Sequence, residues 1–322
     1  MARRISVIMI LWALAIACEG STVHAETSMV GRLFTVAGGG TLSTTRDGQP
    51  AVRVELSVWR SGNLAALSDG SFLVVDSGQV LRVGRDGLIR RVLRRPGAWS
   101  VDAVAGLPGG GVLFAESATV PGVSLVRRVR PDGSITTIAG AQGSGHGGDG
   151  GPAIAAGLAN VTGLAAMADG GLVVLDDFGC LVRRVDAQGL ISTVARSRGR
   201  SCFSDVAVRR DETLVLADPD RHRVQQLAPD GTLRTLAGNG RRGFSGDRGP
   251  ATSARLDHPE SVAVLPDQSV LIADGGNARV RRVNPSGMIA TGIAPTDVSM
   301  SPWDGWLGGY LRDVSAVRTM PD

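Results

Sequence analysis

An all-β fold made of repeated four-stranded antiparallel sheets is what this sequence predicts, and three observations carry the prediction. In the clearest module, four apolar runs of four to six residues are each ended by a turn signal, and none of them reaches helical length. Glycine is very frequent, with 45 residues, while aromatics make up 4%. That balance suits many tight turns around a core of Val, Leu, Ile and Ala. The third observation is an internal repeat, set out below.

The clearest module runs from Leu236 to Val283. Its apolar runs lie at 233–237, 261–265, 270–273 and 280–283, and a Gly-rich insert separates the first two. A turn glycine after the third strand serves as a ruler: Gly87, Gly133, Gly189, Gly231 and Gly287, four of the five after Asp or Ser. Each is followed at once by a strand, at 88–93, 134–139, 190–195, 232–237 and 288–293. Glycine there supplies the positive φ of a tight hairpin. Gly31 starts an equivalent strand, and from it the spacings are 56, 46, 56, 42 and 56 residues. Four strands at such a period mean propeller blades.

Long repeats carry the insert and short ones do not. The inserts run GHGGDGGPA from Gly145 and GFSGDRGPA from Gly243, with a worn copy, RDGQPA, from Arg46. Asp47, Asp149 and Asp247 in them read as turn residues accepting backbone N–H bonds, and Pro152 and Pro250 as openers of one helical turn. Phosphate cradling is a weaker reading, since the chain contains no Lys. The lack of Lys is put down to coding bias.

The chain after Gly287 offers three weak strands at 297–301, 306–311 and 314–320 and stops before a turn glycine. Residues 26–31 and 288–322 together make 41, close to the short repeat. The expectation is therefore a six-bladed β-propeller, its last blade made of three C-terminal strands completed by the N-terminal strand at 33–36. Such closure removes free sheet edges. Within the third strands, Val280 and Val283 face opposite sides, so both faces of each sheet are packed. The arginine pairs 127/128, 183/184 and 281/282 are expected to lay their stems on neighbouring blades and meet carboxylates or carbonyls.

The stretch from Val270 to Val283, VLIADGGNARVRRV, resembles the NHL-repeat family of β-propellers, whose blades carry an IAD-x-x-N-x-R-I-R core. Leu214 to Val224, LVLADPDRHRV, is a second copy, with Arg221 where Asn is usual. The resemblance covers roughly residues 31–293. It implies the fold more strongly than a function, since one fold hosts many activities.

Residues 1–25 read as a signal peptide: Arg3 and Arg4, an apolar run from Ile5 to Ala17, then small residues at Val23 and Ala25 before Glu26. A bacterial lipoprotein box ending at Cys18 is the alternative. The run is too short for a comfortable membrane span. Removing the segment deletes Arg3, Arg4 and Glu19 and takes the net charge from +4 to +3, which gives no case for nucleic acid. A single exported propeller domain, 26–322, is expected outside the cytoplasm, secreted or in the periplasm or cell envelope, as a monomer. Cys180 and Cys202 are then left to form a disulfide.

In such blades the second-to-third-strand turns share one face with the blade-to-blade links. That face holds the variable loops, and variable loops on a rigid scaffold are where binding is usually found. The inserts are expected to form a pseudo-threefold crown there. The ligand-binding candidates are Arg221, His222, Arg241, Arg242, Phe244 and His146, with Arg196, Arg198 and Arg200 adding charge. They suit an acidic or aromatic-bearing protein, peptide or glycan. A non-catalytic module with no cofactor or metal is the first reading. The alternative, a metal-dependent lactonase or lyase like some six-bladed propellers, needs convergent ligands. His146, His222 and His258 are far apart in sequence, and no Ser-His-Asp or Cys-His set stands out. Asp76, Glu116, Asp176, Asp218 and Asp274 recur once per blade, as structural acids do. Glu116 departs from that pattern and would be the first acid to mutate.

Overall fold

The computed structural model describes residues 6–10, 33–38, 42 and 46–293, apart from 57–63, 77, 95–98, 108–109, 119–121, 131, 142–144 and 198–201. Five antiparallel blades follow one another in chain order. Blade I comprises Leu64–Ala66, Phe72–Asp76, Gln79–Val83 and Leu88–Arg94. Blade II comprises Trp99–Gly106, Val112–Ala118, Ser124–Val129 and Ile135–Ala139. Blade III is Val161–Ala166, Leu172–Asp176, Leu181–Val185 and Ile191–Arg196. Blade IV is Asp205–Val208, Leu214–Asp218, Arg223–Leu227 and Leu233–Ala237. Blade V is Pro259–Val264, Val270–Asp274, Arg279–Val283 and Met288–Ile293.

The five turn glycines all have φ between +72° and +84°, as the hairpins demand. Apart from the Asp that ends each one, the second strands of blades I, III, IV and V are apolar, and they are buried along their length because each lies mid-blade. The core therefore sits between blades. Phe114 and Val75 meet between I and II, Leu158 and Val174 between II and III, Leu175 and Leu216 between III and IV. Ala217 and Ile272 share the cluster between IV and V.

The expected blade count is corrected. Five blades stand among the described residues, not six, and the three C-terminal strands expected at 297–320 lie outside them. Closure by the N-terminal strand is not seen. Leu33–Gly38 pairs antiparallel with Ser6–Ile10, a stretch read above as part of a signal peptide. No helix among the described residues is long and apolar enough to cross a membrane.

The inserts do not stand up as a crown. Each adds itself to the outer edge of the blade that follows it. Gln49–Pro50 pairs with Leu88 and Ile89, Pro152 bridges Leu190, and Gly249–Pro250 pairs with Met288 and Ile289. A single 3-10 turn follows each proline and buries Ala51, Ala153 or Ala251. The physical reason is the outer strand itself, whose unpaired backbone groups offer a template. The strap also holds the blade it leaves: Gly140 N–H donates to Ala153 C=O and Gly238 N–H to Ala251 C=O, both at 2.9 Å.

The arginine pairs meet carboxylates, as expected. Arg183 and Arg281 are fully buried and clamp the insert acids, Arg183 to Asp149 at 2.6 Å and Arg281 to Asp247 at 2.7 Å. Their neighbours Arg184 and Arg282 pair with Asp169 and Asp267 in the first hairpin of the same blade. In blade I the clamp position is Leu81, which is buried, and there Asp47 accepts the backbone N–H of Arg91 at 2.7 Å.

Candidate functional site

The first strands of all five blades border a central cavity of about 200 Å³, walled by residues such as Ala65, Ala105, Leu164, Ala207 and Val264. The side chains of that wall are apolar. The once-per-blade acids sit on the second strands instead, each engaged locally. Asp274 Oδ1 accepts the N–H of Asp257 at 2.7 Å, and its Oδ2 accepts from Asn277 and Arg281. Asp176 accepts the equivalent N–H of Ala159 at 3.2 Å. Asp218 takes bonds from Gln225 and Arg221, and Glu116 pairs with Arg127 at 2.5 Å. Burial raises the Asp176 and Asp274 carboxyls above their ordinary range. They terminate strands and anchor links.

The loop-rich face separates the sequence candidates into two groups. Arg221 is a framework residue, donating to Ser197 Oγ at 2.9 Å and to Asp218. His146 and Phe244 hold the same position in successive inserts. His146 lies 3.5 Å from Asp176 and stacks on Phe178, with centroids 6.0 Å apart. Phe244 lies beneath the Arg279 guanidinium at 4.1 Å, with Arg281 at 4.8 Å. The outer surfaces of both patches remain open: Phe178 is 71% exposed and Phe244 43%. Arg241 is exposed, held by a backbone bond to Asn239 Oδ1. Arg198 and Arg200 lie outside the described residues.

His222 and Arg242 converge with two residues the sequence candidates omitted, Asp257 and His258. Asp257 Oδ2 accepts from Arg242 Nε at 3.0 Å, while Oδ1 faces His258 Nδ1 at 2.7 Å and His222 Nδ1 at 3.8 Å. The two imidazoles meet edge to face, with centroids 4.9 Å apart. Burial opposes ionisation of Asp257, but His258 and Arg242 outweigh it and hold its carboxyl below the usual range. Burial, and then His258, lower the His222 imidazole. The signal for this cluster was in the sequence as blade equivalence: His222 closes a second-to-third-strand turn, and Asp257-His258 opens the next blade.

The same equivalence accounts for the disulfide. Cys180 and Cys202 are bonded, with Cα atoms 4.7 Å apart. Cys180 ends the blade III turn in a left-handed conformation, φ 50°, and Cys202 lies just before the first strand of blade IV. The bridge thus joins a turn of one blade to the entry of the next. A Cys180→Ser, Cys202→Ser double variant is expected to lose about 3 kcal/mol, from the loop-closure entropy of a bridge of this span. Equilibrium denaturant unfolding against the oxidised protein measures it.

No family model matches the chain. Over 278 residues, 75% of the chain, it is 26% identical to teneurin-m of Drosophila melanogaster, in a stretch that is 10% of that protein. With teneurin-1 of Mus musculus it shares 30% identity over 118 residues, 33% of the chain and 4% of that protein. The chain therefore spans a small fraction of these curated relatives. Among solved structures, a Bacteroides thetaiotaomicron protein of unknown function superposes with a TM-score of 0.59 at 14% identity, covering 80% of this chain and 62% of that one. The chain is a repeat β-propeller. An auxiliary nutrient binding protein from the same bacterium gives a TM-score of 0.56 at 13% identity, covering 78% and 62%. Likeness at this identity concerns the propeller scaffold alone.

Proposed function

We propose that this propeller is an exported, non-catalytic binding module that takes a carboxylate-bearing protein, peptide or glycan on its loop-rich face. The observation that carries the reading is the contrast in how the charges there are used. The recurrent acids are spent on framework bonds, whereas Arg242, although its Nε donates to Asp257, is 70% exposed on its side chain and lies in one short stretch of chain with exposed Arg241 and Phe244. A guanidinium beside an open aromatic ring suits a carboxylate attached to an apolar or sugar body. The disulfide supports an oxidising compartment, in keeping with residues 1–25 as an export signal. A protein, peptide or glycan on the face of a propeller needs neither cofactor nor nucleic acid.

The test uses the immobilised protein to capture ligands from an extracytoplasmic fraction at low and high salt. A triple variant, Arg241→Glu, Arg242→Glu and Phe244→Ala, is expected to retain at least roughly tenfold less of the specific ligand. Raising the salt should weaken capture by the native protein. Equal capture by the variant and the native protein would sink this reading.

A further inference from the structure

We propose that His222, Asp257 and His258 form a binding site for a divalent transition-metal ion of the zinc class, which clips blade IV to blade V. The site is separate from the central cavity and borders the ligand face argued above, where Arg242 holds Asp257.

Aligned on their second strands, blades III and IV put Cys180 and His222 at the same turn position, each in a left-handed conformation with φ of 50° and 52°. Aligned on their first strands, Val206–Val208 with Val262–Val264, blades IV and V put Cys202 and His258 at the same entry position. One junction is thus joined by a covalent bond between two cysteines. The next junction carries two histidines at those two positions, with a carboxylate beside them. Cysteine pairs and histidine clusters are alternative ways to cross-link the same pair of backbone positions.

The donor set fits. One ligand atom from each of the three residues lies within 4.8 Å of the others. Bonds of about 2.0–2.1 Å in a tetrahedron place ligand atoms roughly 3.3 Å apart, so side-chain rotations of about 1 Å close the set. Two imidazole nitrogens and one carboxylate oxygen suit zinc rather than calcium or magnesium, and a water or a ligand oxygen supplies the fourth position. The ion would lie where His258 Nδ1 and Asp257 Oδ1 now share a hydrogen bond, with the His258 proton carried on Nε2 instead. Arg242 holds the other carboxylate oxygen, and its exposed charge is well screened.

The carboxylate is also built in. Asp257 N–H donates to Asp274, and its C=O accepts from Gly276 N–H at 2.8 Å. A Cβ at position 276 would stand 2.4 Å from the Asp257 carboxyl carbon. Blade III shows the complementary arrangement: the residue facing the turn is Ala159, and the turn residue is Phe178, whose N–H makes the same bond. The small residue has changed sides, which leaves blade V room for an acid. Such fixing of a ligating carboxylate by surrounding bonds is what metal sites use.

The test titrates the full purified protein, stripped with chelator, with Zn²⁺ and separately with Co²⁺. One equivalent is expected to bind, raising the thermal midpoint, and Co²⁺ should give visible d–d absorption of a tetrahedral N/O site. His258→Ala and Asp257→Asn should each weaken binding by at least tenfold, and Gly276→Ala should weaken it without altering a ligand. Wild-type-like binding in His258→Ala, or no shift of the native midpoint with saturating Zn²⁺, overturns the proposal. Circular dichroism of the metal-free variants separates loss of the site from loss of the fold. Ligand capture on the neighbouring face is scored separately, so either reading can fail alone.

Discussion

Replacing Arg281 with Met lowers the thermal midpoint by on the order of 10 °C. The guanidinium is fully buried between the insert and blade V, 2.7 Å from Asp247 and 3.5 Å from Asp274. It also donates to the C=O of Ser245 at 3.2 Å and of Arg255 at 3.5 Å. Deleting it leaves Asp274, which is wholly buried, without its cation, and strands two carbonyls. Breaking a buried pair by removing one partner costs about 3–5 kcal/mol, because the remaining charge has lost its compensation. For a chain of this size roughly 2–4 °C accompany each kcal/mol. Arg183→Met should behave alike, since Arg183 meets Asp149 and the C=O of Gly147 and Gly157 in the preceding long repeat. Arg282→Met is the control. Its pairing with Asp267 is partly solvated, and such pairs contribute about 0–1 kcal/mol. Scanning calorimetry of the three variants decides the matter. A loss in Arg281→Met no larger than in Arg282→Met would show that the clamp does not hold the insert.

Gly238→Ala should cost on the order of 3 kcal/mol and loosen the strap between blades IV and V. Gly238 leaves the last strand of blade IV with φ of +89°, a conformation L residues rarely adopt. That strain alone is worth about 1–2 kcal/mol. The added methyl would also stand 2.3 Å from the C=O of His222 and 3.0 Å from Arg223 Cα. Backbone cannot yield as a flexible side chain does. A Cβ added at Gly140, where φ is +93°, would likewise stand 2.4 Å from the C=O of Ser124. The readout is hydrogen exchange at the amides of Gly249 and Ala251, which should speed up ahead of the other blades. Unchanged exchange there, with an unchanged unfolding midpoint, would refute the account.

Much of this fold was legible because its signals are local. A hairpin glycine must have positive φ wherever it occurs, so Gly87, Gly133, Gly189, Gly231 and Gly287 marked the blades without any knowledge of contacts. The paired arginines, with one valine on each side, declared a sheet packed on both faces. The partnership of Cys180 and Cys202 followed from their being the two cysteines left once residues 1–25 are set aside. The path of the inserts was not local. Gly, Pro and Asp predicted a turn but not that the turn would climb the outer strand of the following blade. Nor did spacing alone separate Arg221, committed to Asp218, from Arg242, largely in solvent.

The candidate site shows the same division. By itself the sequence determined a repeated four-stranded sheet and the residue types in its connecting loops. Only the tertiary structure decided that His222 and His258 touch across 36 residues, with Asp257 between them and Gly276 giving it room. Chain spacing fixes hydrogen bonds that close within a turn. Contacts between blades depend on how neighbouring sheets twist and pack, and that is a property of the assembled blades.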